Sequence, residues 1–80
     1  MVKVVSTSDV LPQDLPSKWE LERAQSQLLS QGLIEPLCVY QDAAPPYQIN
    51  KINRYDSCLL LAANALNWPT VIIVKFNPRN

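Results

Sequence analysis

The run Thr70-Val71-Ile72-Ile73-Val74-Lys75-Phe76 constrains this chain more than any other segment. Its four central residues are β-branched, stiff at χ1 and suited to a pleated strand. A continuous apolar centre predicts a strand buried on both faces, which other elements must cover. The remaining residues are read below for those elements.

Val2 to Val5 is a short β-branched run around Lys3 and reads as a first strand. Residues 6 to 16 hold Pro12 and Pro16 and read as a loop. Ser17 then stands three residues before Glu20, the spacing of a capping box, in which each side chain satisfies the other's backbone N–H. The helix so opened runs through Leu21, Ala24 and Leu28, its buried side, and stops at Gly32. Pro36 to Tyr40 and Tyr47 to Asn50 read as a second and third strand, joined through residues 41 to 46 in a wide hairpin. Asn50 or Asn53 is placed to cap a second helix that extends to about Leu66, with Asn67, Trp68 and Pro69 ending it.

The expected order is therefore β-α-β-β-α-β, an α+β fold with two helices on a small mixed sheet. Residues 1–76 are expected to form a single domain, and 77–80 a polar C-terminal tail.

Composition narrows the function. The 80 residues carry 7 Lys+Arg, 7 Asp+Glu and no His, a formal net charge of zero. That balance disfavours a dedicated nucleic-acid binder, whose affinity depends on neutralising phosphates. Without His there is no Ser-His-Asp or Cys-His site and no His-ligated metal within the chain. No acidic pair is spaced for acid–base catalysis, and neither enzyme activity nor a cofactor is expected. No apolar run reaches the ~18 residues of a membrane span, and two Cys do not make a disulfide framework. The expected setting is cytoplasmic.

Residues 31 to 40, Gln-Gly-Leu-Ile-Glu-Pro-Leu-Cys-Val-Tyr, carry a recognisable phrase. It resembles the Gly-x-x-x-Pro-Leu-x-Val segment of the ParB N-terminal domain superfamily, which also contains sulfiredoxin. Asp9-Val10-Leu11-Pro12 is similar to that family's first-strand exit, and Tyr47-Gln48-Ile49 to the strand before its phosphate-binding helix. The resemblance runs from about Val2 to Val74. It implies that backbone N–H groups and basic side chains at the start of the second helix hold nucleotide phosphates.

The chain departs from the family in that motif. Where ParB-like domains carry Gly-Glu-Arg-Arg, this chain reads Lys51-Ile52-Asn53-Arg54-Tyr55, without the Gly and with only Arg54 left of the arginine pair. Sulfiredoxin's Gly-Gly-Cys-His-Arg-Tyr is matched only at Arg54-Tyr55, with Ile52 in place of the reactive Cys. A β-branched residue does not allow the close backbone approach that Gly gives. Lys51, Asn53 and Arg54 remain candidate anion or nucleotide ligands, since a helix N-terminus presents free N–H groups. The alternative is an ordinary capped helix start with solvated basic side chains.

Tyr55, Cys58, Leu59, Ala62, Ala65 and Leu66 share one helical face, expected to be the buried one. Leu60 and Leu61 fall outside it and, with Trp19 on the first helix, are the candidate protein interface. The alternatives are loop cover for the leucines and a Trp19 folded back over Leu11 or Leu15. Trp68 reads as a core plug. Cys38 and Cys58 read as small buried hydrophobes, with Arg54, four residues before Cys58, placed to lower its pKa and open a thiol role. The favoured function is a non-catalytic binding or regulatory protein whose partner is another protein or a second copy. Phosphate binding at the second helix is the alternative, and thiol chemistry at Cys58 the next.

Overall fold

The computed structural model describes residues 2–40 and 44–75. Phe76 and the expected tail, 77–80, lie outside the described residues, as do 41–43 of the expected hairpin link. The elements are β1 (Val2–Ser6), β2 (Val10–Leu11), α1 (Lys18–Gln31), β3 (Leu37–Val39), β4 (Tyr47–Gln48), α2 (Arg54–Ala65) and β5 (Thr70–Lys75). A 3-10 turn, Thr7–Asp9, joins β1 to β2. The α+β class, the mixed sheet and the two helices agree with the sequence. The short β2 falls in the stretch expected to be a loop.

β5 is the middle strand of a three-stranded sheet, antiparallel to β1 and parallel to β3. The parallel β2 and β4 form a second, two-stranded sheet. An antiparallel bridge between Val39 and Ile49 links β3 to the end of β4. The N–H of Ile49 donates to Leu11 C=O at 3.0 Å, extending the β2–β4 pairing by a step.

Burial on both faces of β5 is not what the structure has. Val71 and Ile73 point into the core, whereas Ile72 is exposed and Val74 half-buried. α2 packs against β3 and α1 packs against α2, and the outer face of β1 and β5 has no cover among the described residues. Apolar composition marks a strand as central, but alternate residues leave by opposite faces and only packing fills each.

α1 begins as the sequence predicts. Ser17 N–H donates to Glu20 Oε1 at 2.9 Å and Glu20 N–H donates to Ser17 Oγ at 3.4 Å, closing the capping box. Gly32 ends the helix at φ 74°, ψ −168°, a backbone state that a side chain disfavours, and its N–H donates to Leu28 C=O at 3.0 Å. Ala24 and Leu28 are buried and Leu21 is half-buried against the core.

α2 buries far more of its circumference than a surface helix. Ser57, Cys58, Leu59, Leu60, Ala62 and Ala63 are all buried, because α1 lies on one side and β2, β3 and the 3-10 turn on the others. Leu60, expected at an exposed interface, is 0 % exposed and is one of the largest enclosed side chains of the core. Leu61 is half-buried, and Tyr55 and Ala65, expected on the buried face, are exposed. A stripe drawn through the most apolar positions assumes one packing partner; here several partners turn the buried arc toward Leu60.

Three polar groups fasten the irregular segments to this core. Buried Thr7 donates its hydroxyl to Trp68 C=O at 2.6 Å and its N–H to Pro69 C=O at 3.0 Å. The hydroxyl of Ser57 accepts from Gln13 N–H at 2.8 Å, tying the stretch before α1 to α2. Trp68 packs against the core cluster as expected.

Leu60→Ala is expected to destabilise the protein by about 2–5 kcal/mol in urea unfolding, the cost of a cavity in a closed core. Leu61→Ala is expected to cost clearly less; equal losses would contradict the burial described.

Candidate functional site

β4 delivers the chain to the start of α2 through buried Asn50. Its N–H donates to Cys38 C=O at 2.9 Å, its Oδ1 accepts from Ile52 N–H at 2.9 Å, and its C=O accepts from Asn53 N–H at 3.0 Å. Asn50 thus holds the Lys51-Ile52 turn rather than capping the helix. Asn53 occupies the N-cap position, but its side chain makes no capping bond. Its Oδ1 is buried with no hydrogen-bond partner. A buried acceptor in that state calls for a donor and not for a phosphate oxygen. Lys51 and Ile52 are exposed.

Arg54, the first residue of α2, is engaged from two sides. Its Nε donates to Asp14 Oδ2 at 3.2 Å and its Nη1 to Glu20 Oε2 at 3.1 Å. Glu20 therefore serves two partners, Ser17 through Oε1 and Arg54 through Oε2. The Ser17 backbone bond, then the Arg54 bond, holds the Glu20 carboxyl below its usual range. The guanidinium pKa is raised in turn, chiefly by its bond to Glu20. Exposed pairs of this kind add little stability. Their importance lies in charge, because an anion reaching Arg54 would meet two carboxylates already seated there.

Sequence reasoning grouped Lys51, Asn53 and Arg54, and the fold does place them together at one helix end. The carboxylates that occupy Arg54 come from the pre-helical loop and α1, 40 and 34 residues away, with no local signal.

Beside this end lies a cleft of ≈ 240 Å³ lined by Gln27, Ile34, Glu35, Tyr55, Asp56 and Leu59. Tyr55 donates its hydroxyl to Gln27 Oε1 at 3.0 Å, and Asp56 Oδ2 accepts from Cys38 N–H at 2.8 Å. Burial raises the Asp56 pKa, the Cys38 N–H partly offsets this, and Glu35 adds to the rise. The cleft lining carries two acids and no base, a poor receptor for phosphate.

Both cysteines are free. Burial pushes the Cys58 thiol up and Glu20 adds to the rise, against a smaller opposing effect of Arg54. Burial, then Asp56 and Glu35, raise Cys38. Arg54 thus does not make Cys58 a low-pKa thiol, the feature that marks a reactive cysteine.

Of the three interface candidates, Leu60 is withdrawn into the core and Leu61 is half-buried. Trp19 is 62 % exposed, and Leu11 and Leu15 are exposed too, so it does not fold back over them as a cover. Apolar side chains are also exposed on the sheet. Val4 faces Ile72 and Val2 faces Val74 across β1 and β5, and Val2, Val4 and Ile72 are 58 %, 65 % and 37 % exposed. The β-branched residues of both strands are plain in the sequence, but the β5 run reads as burial on both faces and the β1 run simply as a strand.

The chain matches no protein-family model and no curated protein sequence. Its structure is similar to part of the C-terminally truncated chromosome-partitioning protein ParB from Caulobacter crescentus, solved in complex with CTP-gamma-S. The TM-score is 0.67 over all of this chain, and the identity is 19 %. The fold is ParB-like. This agrees with the resemblance read at residues 31 to 40, and at that identity the likeness is one of fold. The chain spans 46 % of the ParB structure it matches.

The Glu20 contacts have a pH signature. A carboxyl whose folded pKa lies below its ordinary 4.5 contributes stability that is full above pH 4.5 and is lost as pH falls through the folded value. Asp56, raised from 3.8, acts in the opposite direction as pH rises. The expected result is that Glu20→Gln narrows the gap to the native protein as pH falls below 4.5, in urea titrations at matched pH. A gap independent of pH would refute the Glu20 linkage.

Proposed function

We propose that this chain is a non-catalytic binding module with a regulatory role, acting through protein–protein contact on the outer face of its sheet. The supporting observation is the uncovered apolar surface of Val2, Val4 and Ile72, set against a helix end whose one arginine is already bound by Asp14 and Glu20. Contiguous exposed apolar residues favour contact with another apolar surface. The proposed setting is the cytoplasm, where free thiols persist. No described helix is long and apolar enough to cross a membrane.

The competing reading is nucleotide binding at Lys51, Asn53 and Arg54, which draws support from the ParB structure with CTP-gamma-S. Two carboxylates on Arg54, an acidic cleft and the missing glycine, with β-branched Ile52 exposed in the turn before α2, all weigh against it. Nucleic acid is the least favoured partner, since the chain has no net positive charge.

Two measurements on one set of proteins test the proposal. In extract of the source cell, the native chain is expected in a species larger than its 9.0 kDa. Ile72→Lys is expected to elute as a monomer with its melting temperature nearly unchanged. CTP is expected to leave the melting temperature of the native chain unaltered. Monomeric elution of both proteins would overturn the proposal, and so would a CTP-induced rise in melting temperature that Arg54→Ala abolishes.

A further inference from the structure

β1 is an edge strand: β5 pairs with one side of it and no described strand pairs with the other. The ladder identifies the free backbone groups. Thr7 N–H donates to Pro69 C=O at 3.0 Å, one step beyond the Ser6–Thr70 pair in the same register. Hydrogen-bonded and non-hydrogen-bonded pairs alternate in an antiparallel ladder, so Val5–Val71 and Lys3–Ile73 are bonded pairs. Val2, Val4 and Ser6 therefore direct their backbone groups away from β5. Ser6 leads into the 3-10 turn, which engages its carbonyl and leaves its N–H at the edge.

Apart from the inward-pointing charge of Lys3, the usual protections of an open edge are missing among the described residues. β1 has no proline, and its register with β5 runs unbroken from Val2 to Ser6, without a bulge. Its one charge, Lys3, has its backbone turned to β5. The Lys3 ammonium donates to Tyr47 Oη at 3.0 Å and lies 5.2 Å from the centre of that ring.

The geometry points to antiparallel pairing of β1 with β1 of a second copy of this chain, about a two-fold axis at Val4. This rests on the protein-contact reading and names the partner. The product is a six-stranded sheet in which both β1 edges disappear.

The strand's own pattern selects a copy of itself. Among registers that set outward-facing residues against each other, only the one centred on Val4 engages all three from each chain. Val4 bonds Val4 of the second copy in both directions, and each Ser6 N–H donates to a Val2 C=O. Charge is compatible, since Lys3 falls opposite Val5 and not opposite another lysine. Two copies of a chain with zero net charge also have no overall repulsion to overcome. The pairing continues the apolar outer face across the junction, with Val4 beside Val4 of the second copy and Ile72 one strand further out on each side.

Cross-linking of the purified chain reads out the register. In a Cys38→Ser background, which leaves only buried Cys58, Val4→Cys and Ser6→Cys each place one exposed thiol on the outer face of β1. Val4 and its symmetry mate have Cα atoms about 5.5 Å apart in a bonded pair, within disulfide reach. The two Ser6 positions lie four residues apart along the strand, about 13 Å, beyond that reach. Mild oxidation is expected to give about tenfold more covalent dimer from Val4→Cys than from Ser6→Cys. Sedimentation of the native chain is expected to show a concentration-dependent dimer. Val4→Pro, which deletes an edge donor and none of the β1–β5 bonds, is expected to be a folded monomer.

Equal cross-linking of the two cysteine variants, or a native chain that stays monomeric throughout, would overturn the pairing. If an Ile72→Lys-sensitive complex nevertheless persists in extract, protein contact stands and only the second copy as partner is lost. If that complex is absent too, the contact reading falls with it.

Discussion

Everything in this molecule is arranged around β5, which hydrogen-bonds to β1 on one side and β3 on the other. Its inner residues, Val71 and Ile73, anchor the core beside Leu37 and Leu60. Burial of apolar surface rewards concentrating both helices on one side, where they also bury each other. Among the described residues, the result is a single core with α2 enclosed, and an outer sheet face left in contact with solvent. That face carries Val2, Val4 and Ile72 into solvent.

The start of α2 shows how a shared fold separates from a shared chemistry. A helix N-terminus with a lysine, an asparagine and an arginine has the raw materials of an anion site. Here the arginine closes the structure internally, joining α2 to Glu20 of α1 and to Asp14 in the preceding loop. Glu20 simultaneously completes the capping box of its own helix. One carboxylate therefore orders two helix starts, and Arg54 serves tertiary structure in a place where ParB-like domains are expected to hold phosphate. The acids of the adjacent cleft, Glu35 and Asp56, reinforce that change of sign.

What the chain reveals before folding depends on the range of the interaction. The limits of α1 were legible because capping is local: Ser17, Glu20 and Gly32 act on backbone groups within a turn of themselves. The apolar run that became β5 was equally plain, as was the Gly-to-Pro-Leu phrase that led to the correct fold. The short β2 was not legible, since two residues next to Pro12 carry no periodicity and are a strand only because β4 lies alongside. Asn50 was read as a possible cap, yet its bonds run to Cys38 on another strand and to the turn at Ile52.

By itself, then, the sequence determined the helix limits, the strongest strand, the neutral charge and the absence of a glycine from the Lys51–Tyr55 stretch. These are properties of single residues or of neighbours along the chain. Tertiary structure alone decided that Leu60 is core, that Arg54 is taken by acids 34 and 40 residues away, and that the outer faces of β1 and β5 are open. The physical reason is the same in each case. Burial and ion pairing depend on which surfaces meet in space, and the choice of face on a strand or helix is made by the partner that packs there.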